Sequence, residues 1–192
     1  MKILALSGSL RRGSFNTALL RAARQLAPQG VDIEIATLQG VPLYDGDVEA
    51  ASGVPDVVQR LKQAVRQASG LLIASPEYNG SIPGVLKNGI DWMSRPAAEI
   101  ANVFGKHPVG IIGATPGRAG TRLAQAAWLP VFRQLGLVPF FEQSLYVDGA
   151  GEKFDASGQL TDAKTRELLE RYLVSFAGFV TRIDRVAASS PS

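Results

Sequence analysis

Stretches of aliphatic and β-branched residues alternate along the chain with segments of helical periodicity, and this alternation restricts the fold more than any other feature of the sequence. Five extended segments stand out: Lys2 to Leu6, Asp32 to Thr37, Gly70 to Ser75, Val109 to Ala114 and Val138 to Phe141. Most are too continuously apolar to face water on one side, which predicts a parallel sheet covered by helices on both faces.

The intervening segments read as those helices. Leu19, Leu20, Ala23 and Leu26 recur at helical spacing within Asn16 to Ala27, and Val58, Leu61, Val65 and Ala68 do so within Asp56 to Ala68. Leu86, Ile90 and Met93 share one face of a third helix, opened by Pro83. A fourth is expected from Gly120 to Leu135, kinked at Pro130 and closed by Gly136. Thr161 is positioned to cap a fifth, in which Leu169, Tyr172, Phe176 and Val180 repeat at helical spacing. Gln39 to Pro55 and Tyr146 to Gly158 read as loops.

Five βα units in 192 residues predict one α/β domain over residues 1–186, with a small polar tail at 187–192 expected to be disordered. The expected architecture is a flavodoxin-like, doubly wound, five-stranded parallel sheet of order 2-1-3-4-5. Ligands of such sheets bind outside the carboxyl ends of the strands, so the loops after strands one, three and four are the ones to read for chemistry.

The first of these loops, Ser7 to Thr17, is rich in glycine, hydroxyl and amide residues, carries Arg11, and runs straight into a helix. A helix N-terminus preceded by such residues suits an anion. Neither a Walker lysine and hydroxyl pair nor Gly-x-Gly-x-x-Gly spacing is present, which leaves a terminal monophosphate as the better fit. The second loop, Ser75 to Gly84, holds two prolines and two glycines that fix the backbone, so that its N–H and C=O groups can face a flat ring with donors and acceptors on its edge. Tyr78 suits either a wall against that ring or a surface phenol.

Ser9-x-Arg11-x-x-Ser14-x-Asn16, followed by Pro76-Glu77-Tyr78-Asn79-x-Ser81-x-Pro83-Gly84-x-Leu86-Lys87-Asn88-x-Ile90-Asp91-Trp92, resembles the NADPH-dependent FMN reductase family, near its chromate and quinone reductase branch. The likeness runs from about Lys2 to Val180. It implies non-covalent FMN, with Ser9, Arg11, Ser14, Phe15, Asn16 and Thr17 holding the phosphate and ribityl chain. Pro76, Glu77, Tyr78, Asn79 and Ser81 would line the isoalloxazine, mostly through backbone. Ala114, Thr115 and Gly117 of the third loop would approach the ring from the other side, although Ala114 and Ala119 depart from the family pattern of a hydroxyl residue and paired glycines.

The resemblance further implies NADPH or NADH as electron donor, a homodimer or homotetramer, and a small acceptor such as a quinone, an azo compound, chromate or free flavin, served in a ping-pong cycle. No protein acid or base is assigned to the chemistry, because the flavin carries it. Glu77 is read as positional, with its backbone towards the flavin, and Arg118 and Arg122 as contacts for nicotinamide-nucleotide phosphates. A flavodoxin-type electron carrier or a regulatory FMN-binding module is the alternative; such carriers are usually acidic, whereas this chain has a formal charge of +3.

Its cations are interspersed with acids, which argues against nucleic acid, and no apolar run is long enough to cross a membrane. The absence of cysteine removes disulfides, thiolate metal sites and iron–sulfur clusters, and a cytoplasmic setting is expected. The single histidine, His107, precedes the fourth strand, at the end of the sheet away from the expected site, and is read as structural.

Overall fold

Successive residues of a strand face opposite sides of a sheet, and the two apolar cores divide the strands accordingly. The computed structural model describes residues 1–189. In its first strand, β1 (Lys2–Ser7), Ile3 and Ala5 enter one core while Leu4 and Leu6 enter the other. Parallel partners flank it on both sides: β2 (Asp32–Thr37), and β3 (Gly70–Ala74), which in turn pairs with β4 (Pro108–Ala114). The strand order 2-1-3-4-5 is the expected one.

The sheet has six strands rather than five, because the last position is shared. β5 (Val138–Pro139) pairs with the start of β4, and β6 (Leu145–Val147) pairs with its end. The expected strand from Val138 to Phe141 stops early, since Pro139 has no N–H for a ladder and Phe141 turns outward, 70% exposed.

One core lies under α1 (Phe15–Gln25) and the long C-terminal helix, with Leu19, Leu20, Leu169, Tyr172, Phe176 and Val180 packed on the sheet. The other lies under α3 (Asp56–Gln67) and α4 (Gly84–Met93), through Val58, Leu61, Leu86, Ile90 and Trp92, and extends to Trp128 and Phe132. Both tryptophans, Trp92 and Trp128, are fully buried.

The two segments expected to be loops contain short helices, α2 (Gly46–Ser52), whose residues are all at least partly exposed, and α8 (Ala150–Lys153), and a further short helix, α5 (Ile100–Val103), lies between α4 and β4 where no element was assigned from sequence. The expected fourth helix is broken into α6 (Arg122–Ala127) and α7 (Leu129–Leu135), with Pro130 in the first turn of α7, where its missing N–H costs nothing. Asp162, not Thr161, caps the last helix, α9 (Ala163–Ser189): its carboxylate accepts the Thr165 N–H at 2.8 Å, while the Thr161 hydroxyl donates to the Lys153 carbonyl. α9 continues through 187–189, part of the tail expected to be disordered; the rest of that expectation falls at 190–192, outside the described residues.

Candidate functional site

β1, β3 and β4 are parallel, so their carboxyl ends and the loops that follow lie at one edge of the sheet. There they enclose an open cleft of about 240 Å³, lined by Ser9, Arg11, Ser14, Phe15 and Asn16 from the first loop, Pro76, Glu77 and Tyr78 from the second, and Ala114, Thr115 and Pro116 from the third. His107 lies at the other end of β4, where its ring Nε2 is 3.1 Å from the Ala68 carbonyl oxygen.

The first loop is held close to the second by Gly8, whose N–H donates to the Ala74 carbonyl at 2.9 Å and whose Cα hydrogens face Leu86 and Pro76. Ser14 caps α1 by accepting the Thr17 N–H at 3.3 Å, and Ser9 accepts the Arg11 N–H at 3.3 Å. The first-turn N–H groups of Phe15 and Asn16 have no carbonyl to bond within the helix, as at every helix start, and α1 is long enough for its dipole to favour an anion there. Arg11 is exposed at the rim of the same cleft.

Two residues of the first loop have structural partners. The Thr17 hydroxyl lies 2.7 Å from that of Ser7, beneath the loop, and Thr17 does not line the cleft. Asn16 does line it, but its carboxamide is engaged with the backbone of Ala114 through two hydrogen bonds.

The second loop turns back on itself. Tyr78 and Ser81 exchange backbone hydrogen bonds of 3.1 and 3.0 Å around Asn79 and Gly80, whose φ angles of 52° and 71° are those of an Asn-Gly hairpin turn. Asn79 and Ser81 therefore build the turn and stand outside the cleft, whereas Tyr78, 48% exposed, projects at its rim. Behind the loop, the buried Trp128 indole N–H donates to the Ser75 hydroxyl, which donates to the Pro76 carbonyl, fixing that peptide from the core side. Glu77 directs one carboxylate oxygen to the backbone of α6, accepting from Leu123 and Ala124.

In the third loop, Ala114 and Thr115 line the cleft. Gly117 does not; its N–H donates to the Thr115 hydroxyl at 3.3 Å. Pro116, missed by the sequence reading, takes a place in the wall, and only its position between Thr115 and Gly117 could have indicated it. Arg122 stacks over the Tyr146 ring at 4.5 Å, and neither Arg122 nor Arg118 lines the cleft.

The donor set fits FMN. Ser9, Ser14, Arg11 and the α1 N-terminus match a monophosphate, and two walls of fixed backbone, Pro76 to Tyr78 and Ala114 to Pro116, match a planar ring between them.

Comparison with known proteins agrees with this chemistry. Residues 1–152 match the family model described as NADPH-dependent FMN reductase. An NAD(P)H-dependent FMN reductase of Pseudomonas aeruginosa is 43% identical over 95% of this chain and 97% of its own, and a 2-hydroxy-1,4-benzoquinone reductase of a Burkholderia species is 38% identical over 94% and 96%. Among solved structures, the flavoenzyme FerB, an NAD(P)H:(acceptor) oxidoreductase of Paracoccus denitrificans, superposes with a TM-score of 0.84 at 31% identity, covering 94% of this chain and 97% of its own. A flavodoxin from an archaeon, 12% identical with a TM-score of 0.58, shares the fold. On the match to its model and the identity to its members, this chain belongs to the NADPH-dependent FMN reductase family.

Proposed function

We propose that this protein is an FMN-dependent NAD(P)H oxidoreductase that passes electrons to a small acceptor of the quinone type. The observation that carries the reading is the convergence, in one cleft, of an anion-binding loop and helix start with two stiff backbone walls of ring-binding character. Relatives with FMN reductase and quinone reductase activities, matching almost end to end, support it.

Ser9, Ser14 and Arg11 hold the phosphate at the start of α1, and Phe15 and Asn16 border the ribityl chain. Pro76, Glu77 and Tyr78 present backbone to one side of the ring system, with Ala114, Thr115 and Pro116 on the other. Held there, FMN would supply the chemistry, hydride acceptance from the nicotinamide and electron delivery to the acceptor. The chain's part is to bind, orient and exclude water. Donor and acceptor would enter the open cleft in turn, beside Tyr78, which gives a ping-pong order. The protein works as a homo-oligomer with an even number of subunits, as symmetry favours, and its lack of cysteine suits a cytoplasmic setting.

An absorbance spectrum of the purified protein with FMN, recorded anaerobically before and after NADPH, tests the reading. The expected result is a perturbed flavin spectrum that bleaches within seconds and recovers on addition of a quinone. Binding without bleaching would overturn the oxidoreductase in favour of a carrier or regulatory module, and an unperturbed spectrum would overturn the site itself.

A further inference from the structure

α6 begins without a cap of its own. Thr121, the residue before it, has a φ of 63°, a left-handed conformation that a β-branched residue rarely adopts, and its hydroxyl accepts from the side chain of Gln125 instead of serving the helix start. The amide groups of the first turn need an acceptor from elsewhere. Glu77, 46 and 47 residues earlier in the chain, provides it: its Oε2 accepts from Leu123 N at 2.9 Å and Ala124 N at 3.1 Å. The hairpin turn just beyond Glu77 rests on the same helix, since a Cβ built on Gly80 would lie 3.4 Å from Leu123 Cδ1.

We infer that Glu77 is a positioning residue, whose carboxylate, by capping α6, fixes the Pro76–Tyr78 backbone against the cleft in the conformation that receives the flavin ring. The inference rests on the FMN-binding reading above. It assigns to the side chain a bridge between two loops of the site, and no proton transfer. The left-handed Thr121 is part of the same device, because it turns the chain so that the α6 amides face Glu77; Thr121 is fully buried, with its hydroxyl bonded to Gln125, whose amide also donates to the Leu145 carbonyl. Ring loop, helix and sheet edge are thereby joined through side-chain hydrogen bonds that a substrate need not touch.

The test compares Glu77→Ala and Glu77→Gln by amide hydrogen exchange of the flavin-free protein, by FMN titration and by steady-state NADPH oxidation. Glu77→Ala is expected to speed exchange at Leu123 and Ala124 by about tenfold and to weaken FMN binding by a similar factor, as loss of a helix cap would. Gln keeps an oxygen that can accept both amides and is expected to recover both quantities to within roughly threefold. Should the Ala variant not fold, Glu77→Asp, one methylene short of α6, takes its place with the same expectations.

Unchanged exchange at Leu123 and Ala124, or faster exchange with unaltered FMN affinity, would overturn the inference. So would a Gln variant that binds FMN normally but oxidises NADPH more than about a hundredfold more slowly, the mark of a proton-transfer role. Failure of the unmodified protein to bind FMN would overturn the functional reading and the inference with it, and is told apart because the exchange measurement requires no flavin.

Discussion

The carboxamide of Asn16 satisfies both backbone groups of Ala114, accepting its N–H at 3.0 Å and donating to its carbonyl at 2.9 Å. Both residues are buried, and they stand 98 positions apart in the chain. The loop after β1 and the end of β4 are thus held in register by one side chain, and the two sides of the cleft keep their spacing.

Replacing Asn16 with Ala leaves both groups of Ala114 buried and unpaired, and is expected to cost about 2–4 kcal/mol of folding stability. Urea unfolding measures that loss. FMN affinity is expected to fall with it, because the third loop loses its anchor. Asn16→Asp should do little better, since a carboxylate cannot donate to the Ala114 carbonyl.

Gly8→Ala tests the closeness of the first two loops. A Cβ there would lie 2.8 Å from Leu86 Cδ2 and from Pro76 Cδ, and 2.9 Å from the Ala74 carbonyl oxygen. A backbone oxygen and a proline ring cannot move aside cheaply, so the substitution is expected to lower stability by roughly 1–3 kcal/mol. Weakened FMN binding should accompany it, as Pro76 is displaced from the cleft wall.

Lys62 is fully buried on α3, where its ammonium donates to Glu99 and to the Arg95 carbonyl. Lys62→Met preserves the packed stem and removes the charge that burial opposes; Lys62→Ala removes both. Thermal melts should therefore place Met well above Ala. The reverse order would mean that packing of the stem contributes nothing to stability at this position.

Several carboxylates are held below their ordinary pKa range: Asp155 by the Ser157 hydroxyl, Asp162 by the Thr165 hydroxyl, and Glu99 by Lys62. A group whose pKa is depressed on folding stabilises the native state above its unfolded value, and that contribution is lost as pH falls through the folded value. Melting temperature is accordingly expected to respond little to these groups from neutrality down to about pH 5, then to decline on further acidification. Asp162→Asn, which keeps an acceptor at the start of α9, should flatten part of that decline.

Much of this architecture is legible in the sequence because apolar periodicity records burial. β1 to β4 and the packed faces of α1, α3, α4 and α9 announce themselves through Leu19, Val58, Leu86 or Tyr172. β6 escapes because Leu145–Val147 is too short for any period, and α2 because it has no fully buried face. α2 is held instead by the Asp45 cap and by the links from Glu49 to Tyr44 and Arg95.

At the site, parallel topology alone brings the three loops together, so the lining from Ser9 to Thr115 could be read in advance. Which side chains face the cleft and which brace it from behind depends on partners far along the chain. Thr17, Asn79, Ser81 and Gly117 carry residue types suited to ligand contact and are engaged in the scaffold.

The divided last position of the sheet has a consequence for how these molecules meet. An exposed edge strand is a template on which another chain can add, and long regular edges invite fibrous association. On this side the edge is two residues of β5, one of them Pro139, and three of β6, separated by a bend. On the far side, β2 exposes Asp32 and Glu34, the latter paired with Lys2. Neither margin offers a long uncharged ribbon, one being short and bent and the other charged, so self-recognition by strand addition, and with it the pathological, open-ended kind of assembly, is disfavoured at both.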